Sequence, residues 1–312
     1  MATSLQARMS GARSRNEFRL GRWWYYGAVG VLGLILLGAG QPPISGPPPA
    51  QPSAPRPMDP VGGAGGSVTS PTGGGGRTVT SPVAAQKTSP MDEPLRLIRE
   101  AQQAYQKVQD YTCMLIKRES TNGRMPREHT VMEMKVRSQP FSVYLRWLRP
   151  HTEAGQIVCY VAGRNNGKMR VHPKGVLGSF AGFISLDPND PRARQTSKRS
   201  INEAGIGNMI DRFARSWENE RRLNLATQVK IAEYEYNHRR CTRVETIHPT
   251  NADGHFLYYR DVLYFDKETH LPIRLEFYDW PRADGDPGQI VEEYGFANMR
   301  LNVGLGDDVF NH

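Results

Sequence analysis

Apolar residues at Leu95, Ile98, Ala101, Tyr105 and Val108 recur every three or four positions, the spacing that lines one stripe of a helix. Asp92 and Glu93 stand with Pro94 in its first turn, where acids face the positive end of the helix dipole and a missing N–H leaves nothing unpaired. The stripe runs out near Asp110. Runs rich in β-branched and aromatic residues follow, at 111–119, 129–137, 141–148, 156–162 and 168–172, and these read as strands. Thr121-Asn122-Gly123 separates the first two and Asn165-Asn166-Gly167 the last two. Asn-Gly adopts the positive backbone angles that match the twist of paired strands, so both mark hairpins. Residues 174–196 break the pattern with Gly, Pro and Asp. A second helix is predicted over 201–217 from Ile201, Ile206, Met209, Ile210 and Phe213, although Gly205 and Gly207 weaken its first half. Strands resume at 229–236, 241–247, 256–265, 272–278 and 290–296, with Asp253-Gly254 as a further turn.

About ten strands in series make a sheet too long to stay flat. The predicted fold class is α+β: a curled antiparallel sheet, a barrel or half-barrel, with two amphipathic helices packed on its concave side. A curled sheet partly plugged by helices is a natural shape for an apolar cavity; a solidly packed α+β domain satisfies the same pattern.

The first third of the chain reads differently. Residues 1–22 carry five Arg and one acid and run into Trp23-Trp24-Tyr25-Tyr26 and an apolar stretch reaching Gly40. Basic flanks are retained in the cytoplasm and aromatic rings suit the headgroup interface, so 23–40 is a membrane-directed segment. It is either a retained transmembrane signal anchor or a signal peptide cleaved after Gly38-Ala39-Gly40. No cysteine follows to carry a lipid anchor. Residues 41–91 hold 12 of the 23 Pro and 9 of the 31 Gly, too few apolar side chains to offset the entropy of ordering, and are expected to form a disordered linker. The organisation is thus a cytoplasmic basic segment at 1–22, the membrane segment, the linker and one folded domain at 92–312. That domain is placed in the periplasm, anchored to the inner membrane or secreted if the signal is cleaved.

Charge divides along the same boundary. Of a net +9, residues 1–91 contribute eight Lys or Arg against two acids, and the remainder has 32 basic and 29 acidic groups. The surplus therefore concerns delivery, and nucleic acid is not an expected partner.

Candidate chemistry is sparse. Cys113, Cys159 and Cys241 each fall inside a predicted strand; one disulfide with a free thiol, Cys113 with Cys241 being the pair, stands beside three buried small hydrophobes as the alternative. The eight histidines show no zinc spacing, and His248 and His255 decorate strand ends. There is no nucleophile elbow, phosphate-binding loop or dinucleotide fingerprint, and nothing marks Ser179, Ser185, Ser197 or Ser200 as activated, although His172 is near in sequence. No catalytic residue, metal ligand or cofactor is assigned. The basic run Arg192, Arg194, Lys198, Arg199, Arg212, Arg215, Arg221 and Arg222 could meet anionic headgroups, but Glu203, Asp211, Glu218 and Glu220 interleave with it as on a solvated helix face.

Several motifs in the domain are specific: Asp110-Tyr111-Thr112-Cys113 with Lys117-Arg118-Glu119, Pro140-Phe141-Ser142-Val143-Tyr144-Leu145, Glu203-Ala204-Gly205-Ile206, Tyr278-Asp279-Trp280-Pro281 and Leu301-Asn302-Val303-Gly304-Leu305. Together they resemble the bacterial exported-protein family known as domain of unknown function 1571, distantly similar to the LolA-like superfamily of lipoprotein carriers and lipid sensors. The resemblance implies an unclosed antiparallel half-barrel whose concave face, covered by helices, can hold acyl chains. It makes a non-enzymatic, membrane-proximal domain for a hydrophobic or lipidated ligand the first expectation. An envelope structural or protein-interaction module, using sheet edges or the Trp147 and Trp280 region, is the second, and a hydrolase the third.

Overall fold

A computed structural model describes residues 54–58 and 89–312, apart from 122, 176–179, 181, 195, 196, 250–253 and 255. The segments assigned to 1–22 and 23–40, most of 41–91, and His255 lie outside the described residues. Among those described, no helix is long and apolar enough to cross a membrane.

The domain opens with α1 (Asp92–Tyr105), followed by the meander β2 (Asp110–Glu119), β3 (Thr130–Arg137), β4 (Ser142–Arg149), β5 (Ile157–Val161) and β6 (Met169–His172). A short strand β7 (Ile184–Leu186), one helical turn α2 (Pro191–Arg194), a 3-10 turn at Ile201–Glu203 and the long α3 (Ile206–Arg222) lead to the second half. That half is β8 (Gln228–Tyr236), β9 (Arg239–Ile247), β10 (Arg260–Asp266), β11 (Pro272–Tyr278) and β12 (Ile290–Leu301). A two-residue strand β1 (Arg56–Pro57), from within the expected linker, pairs with β8. All twelve strands form one antiparallel sheet in the order β1-β8-β9-β10-β11-β12-β2-β3-β4-β5-β6-β7. Pairing of β12 with β2, with Tyr294 opposite Lys117, joins the two halves, and β1 and β7 remain as free edges. The curled, unclosed sheet is thus the architecture of the protein. Its ten longer strands match the ten runs read from the pattern. The two extra strands are too short to show alternation.

Both helices pack on one face of the sheet and against each other. From α3, Ile206, Met209, Ile210, Phe213 and Trp217 turn inward, each at most 6% exposed; a side chain of this size contributes roughly 1.5–3 kcal/mol on full burial. The second helix begins at Ile206 instead of 201 because Gly205 sits at φ +93, which ends the 3-10 turn and redirects the chain. The Ile206 amide then donates to the buried Tyr111 hydroxyl at 2.9 Å, which satisfies one of the unpaired N–H groups at a helix start. Gly207 has a different purpose. A Cβ there would collide with the Tyr105 ring, so its absence lets α1 and α3 approach closely.

On the opposite face of the sheet, charged side chains interlock across five strands. Glu293 pairs with Arg118 and Arg274, Arg274 with Glu276, and Glu245 with Arg243 and Arg260. These neighbours are mostly screened from water, which makes such pairs stronger than exposed ones. At the C-terminus, the Asp110 carboxylate accepts backbone N–H groups of Val303 at 2.7 Å, Gly304 at 3.2 Å and Leu305 at 3.1 Å, and Phe310 packs with Tyr144, Cys159 and Val161.

Candidate ligand-binding cavity

Alternation along β2 places Tyr111, Cys113, Leu115, Lys117 and Glu119 on one face. The first three join the apolar core beneath the helices, and the last two continue the same column as a buried ion pair, Lys117 Nζ to Glu119 Oε2 at 2.9 Å. β12 repeats the change of character in reverse, with Phe296 in the core, then Tyr294, then Glu292 at 1% exposure. Adjacent strands therefore present an apolar floor that becomes polar at one end.

Between that floor and the roof formed by α2, the 3-10 turn and α3 lies a cavity of about 320 Å³. The volume is within the range of small-molecule sites. Its apolar wall includes Leu115, Met132, Met134, Leu145, Trp147 and Phe296; its roof includes Ala193, Ile201 and Met209; Lys117, Arg199, Arg212 and Tyr294 line its polar end. Two other depressions lie outside, in the groove between α1 and α3, where Arg99, Gln102 and Asp211 make them polar.

The polar end is organised around Glu292. Its carboxylate accepts the Tyr258 hydroxyl, Arg199 at 2.9 Å and Tyr294 at 2.9 Å, with Lys198 Nζ at 3.4 Å. Burial alone would raise its pKa, but Arg199, Tyr258 and Lys198 outweigh that effect and hold it below the ordinary carboxylate value. Tyr294 also donates to Glu119, and its own pKa is driven well above that of a free phenol by burial and by the two carboxylates. Ser197 accepts Lys117 at 3.0 Å. Arg199 stays charged because Glu292 overcomes the cost of its burial.

Arg212 differs. Its guanidinium lies 5.8 Å from the centroids of both Phe213 and Phe277, with Arg199 5.3 Å from the same Phe277 ring. Neither an ion pair nor a hydrogen bond to it is found among the described residues. Burial, followed by the charge of Arg199, lowers its pKa.

A second buried polar group lies deeper, under the C-terminal part of α3. His248 is 2% exposed, with Nδ1 2.7 Å from the Tyr258 carbonyl oxygen and Nε2 3.6 Å from Glu220, and it stacks on Phe256. Asp261 is buried beside it with no hydrogen bond to Oδ1, and burial raises its carboxyl to about 7 despite the charge of His248.

The residues singled out in the sequence are widely distributed. Cys113, Cys159 and Cys241 are buried free thiols in three separate apolar clusters, and burial raises the pKa of each. Trp147 faces the cavity, whereas Trp280, after β11, rests against Tyr259. Ser185 contacts Arg170, Ser197 contacts Lys117, and Ser200 donates to the Pro188 carbonyl; the His172 ring lies tilted by 57° against Phe183. Ser179 lies outside the described residues. No group of three or more His, Cys, Asp and Glu side chains is arranged to hold a metal among the described residues. The basic run divides: Arg192, Arg199 and Arg212 line the cavity, Arg192 paired with Asp190, while Arg215, Arg221 and Arg222 are exposed on the outer side of α3. Sequence reasoning missed the polar end. Its signal was the parity of Lys117 and Glu119 with Leu115, and of Glu292 and Tyr294 with Phe296, which puts charge on the apolar face of two strands.

Residues 108–312 match the family model described as "Protein of unknown function (DUF1571)". No curated protein matches the sequence. Among solved structures, the chain is similar to a DUF1329 family protein from Desulfovibrio piger at 16% identity and a TM-score of 0.37, covering 72% of this chain and 98% of that one. It is similar to Mycobacterium tuberculosis lipoprotein LppX at 12% identity and a TM-score of 0.40, covering 69% and 98%. A putative outer membrane lipoprotein-sorting protein domain from Vibrio parahaemolyticus aligns at 11% identity and a TM-score of 0.35, covering 71% and 97%.

Proposed function

The chain belongs to the DUF1571 family, and from that premise we propose that its folded domain is an exported, membrane-proximal receiver for a hydrophobic or lipidated ligand, acting without covalent chemistry. The observation that carries this reading is the cavity of about 320 Å³ between the helices and the curled sheet, with apolar side chains over most of its wall. Apolar surface in such a space gains little from water, and an acyl chain there would recover roughly 0.8 kcal/mol for each methylene removed from solvent. The basic and apolar segment at the start of the chain supports delivery across the inner membrane and, if retained, a tether. The linker would then allow the cavity to reach ligand at a distance from the bilayer surface.

Native mass spectrometry of the full chain purified from bacterial membranes tests the reading. The expected result is co-purified lipid that is lost when Met134 is changed to Trp to fill the cavity. Protein free of lipid, with no uptake on incubation with fatty acid or phospholipid, would refute it.

A further inference from the structure

The polar end of the cavity carries more positive charge than its own carboxylates answer. Lys117 pairs with Glu119, and Lys198 and Arg199 with Glu292, with Arg212 on the same cavity wall; Glu203 is exposed where it lines the cavity, and Arg212 acts on the Asp261 carboxyl without an ion pair between them. Lys117, Lys198 and Arg199 each have a carboxylate partner. Arg212 lies instead 5.8 Å from the centroids of Phe213 and Phe277, which stack on each other, beside a second guanidinium that repels it. Arg199 Nε is itself buried without a hydrogen-bond acceptor. Two guanidinium groups thus lie within 6 Å of the Phe277 ring, of which Arg199 is paired with a carboxylate, at the end of an apolar chamber.

We propose that Arg212, with Arg199 beside it, receives the anionic headgroup of a single-chain amphiphile, a carboxylate or a phosphate monoester, whose tail fills the apolar part of the cavity. This inference rests on the reading of the cavity as a lipid site and adds its headgroup. A neutral ester or alcohol accepts a hydrogen bond from Arg212 but leaves its charge unanswered in a region of low dielectric, whereas an anion supplies both. A guanidinium presents a planar fork that matches two oxygens of either group. The size of the chamber, near the lower end for ligand sites, suits one chain.

Three photoactivatable probes with the same sixteen-carbon diazirine tail, ending in carboxylate, phosphate or hydroxyl, test this on the full chain held in amphipol, with labelled peptides mapped by mass spectrometry. The carboxylate and phosphate should label peptides from β2 to β4 at concentrations roughly tenfold below the alcohol. Arg212→Gln should bring the anionic probes to within about twofold of the alcohol and leave the alcohol unchanged, while Arg212→Lys should keep most of the preference. Equal labelling by all three heads overturns the headgroup inference and leaves the lipid reading intact. Absence of cavity labelling by any probe overturns the lipid reading itself. A preference that survives in Arg212→Gln removes Arg212 from the role. Should that variant fail to fold, the three-headgroup comparison on the unaltered chain still decides whether the site selects anions.

Discussion

Replacing Asp261 with Asn should abolish most of the stability that the domain loses as pH rises from about 4 to 7. Asp261 is buried on β10, where the charges of His248, Glu220, Arg212 and Arg199 act on it, and its Oδ1 has no hydrogen-bond donor. Burial raises its carboxyl from 3.8 to about 7, against the opposing charges of His248, Arg212 and Arg199. Between those two values the folded protein retains a proton that the unfolded chain has released, so unfolding releases protons and stability declines as pH increases. At 1.36 kcal/mol for each tenfold change, the full penalty above pH 7 is about 4 kcal/mol. His248 acts in the same direction: burial disfavours its charge, but Glu220 and Asp261 hold its pKa above the ordinary value, so its contribution is complete below the unfolded pKa and fades as pH passes the folded one. Glu293, lowered from 4.5 to about 2, contributes at high pH and is lost only on acidification, which leaves the window from 4.5 to 7 free of its effect. Urea unfolding followed by tryptophan fluorescence at half-unit steps from pH 4.5 to 8 measures the difference. The variant should gain on the unaltered protein throughout the series, reaching a midpoint about 1–2 M higher at pH 8 for an m-value of roughly 2–3 kcal/mol/M. Two profiles separated by a constant amount would refute the reasoning, because the penalty would then not depend on ionisation.

Gly207→Ala should destabilise by about 1–2 kcal/mol because its methyl group meets the Tyr105 ring; in a Tyr105→Ala background the same change should stabilise by about 1 kcal/mol through helix propensity, and an unchanged sign in a double-mutant cycle would refute the contact. Glu292→Gln should cost about 3–5 kcal/mol in chemical denaturation, since Arg199 and Lys198 lose the buried charge they face; a loss below about 1 kcal/mol would show that water compensates them. Asp110→Ala should release the backbone N–H groups of residues 303–305, with a loss of about 2–3 kcal/mol and faster cleavage by trypsin at Arg300, whereas an unaltered digestion pattern would contradict that role.

The ten longer strands were legible because each has enough residues for alternation or β-branched enrichment, and because asparagine and glycine at 165–167 take the positive φ values of 51, 53 and 75 that their turn needs. The three residues of β7 and the two of β1 carry no period at all. The start of α3 was misplaced by five positions because Ile201 continues the apolar spacing while Gly205 breaks the backbone, and spacing alone does not reveal which prevails. At the cavity, Lys117 and Glu292 could be assigned to the inner face by parity along β2 and β12. Arg199 and Arg212 could not. One lies on an irregular segment and the other on the flank of the helical stripe, so their meeting at Phe277 depends on how α3 is rotated over the sheet. Asp261 stands within a run of buried residues on β10, where nothing local distinguishes a paired carboxylate from one kept partly protonated.

A sheet that does not close offers its outermost backbone to any passing strand, and β8 is nine residues long. Arg56 and Pro57 occupy part of that border opposite Glu235 and Tyr234, and the Met58 amide adds a bond to Glu233. Proline has no N–H to offer a further strand, so the added piece ends the lateral series instead of extending it. The segment at residues 56–58 therefore covers part of the edge that β8 would otherwise present. A chain shortened to begin at residue 88 should keep its cavity yet become prone to pairing through β8, visible as concentration-dependent dimers in sedimentation, while one beginning at residue 51 should stay monomeric.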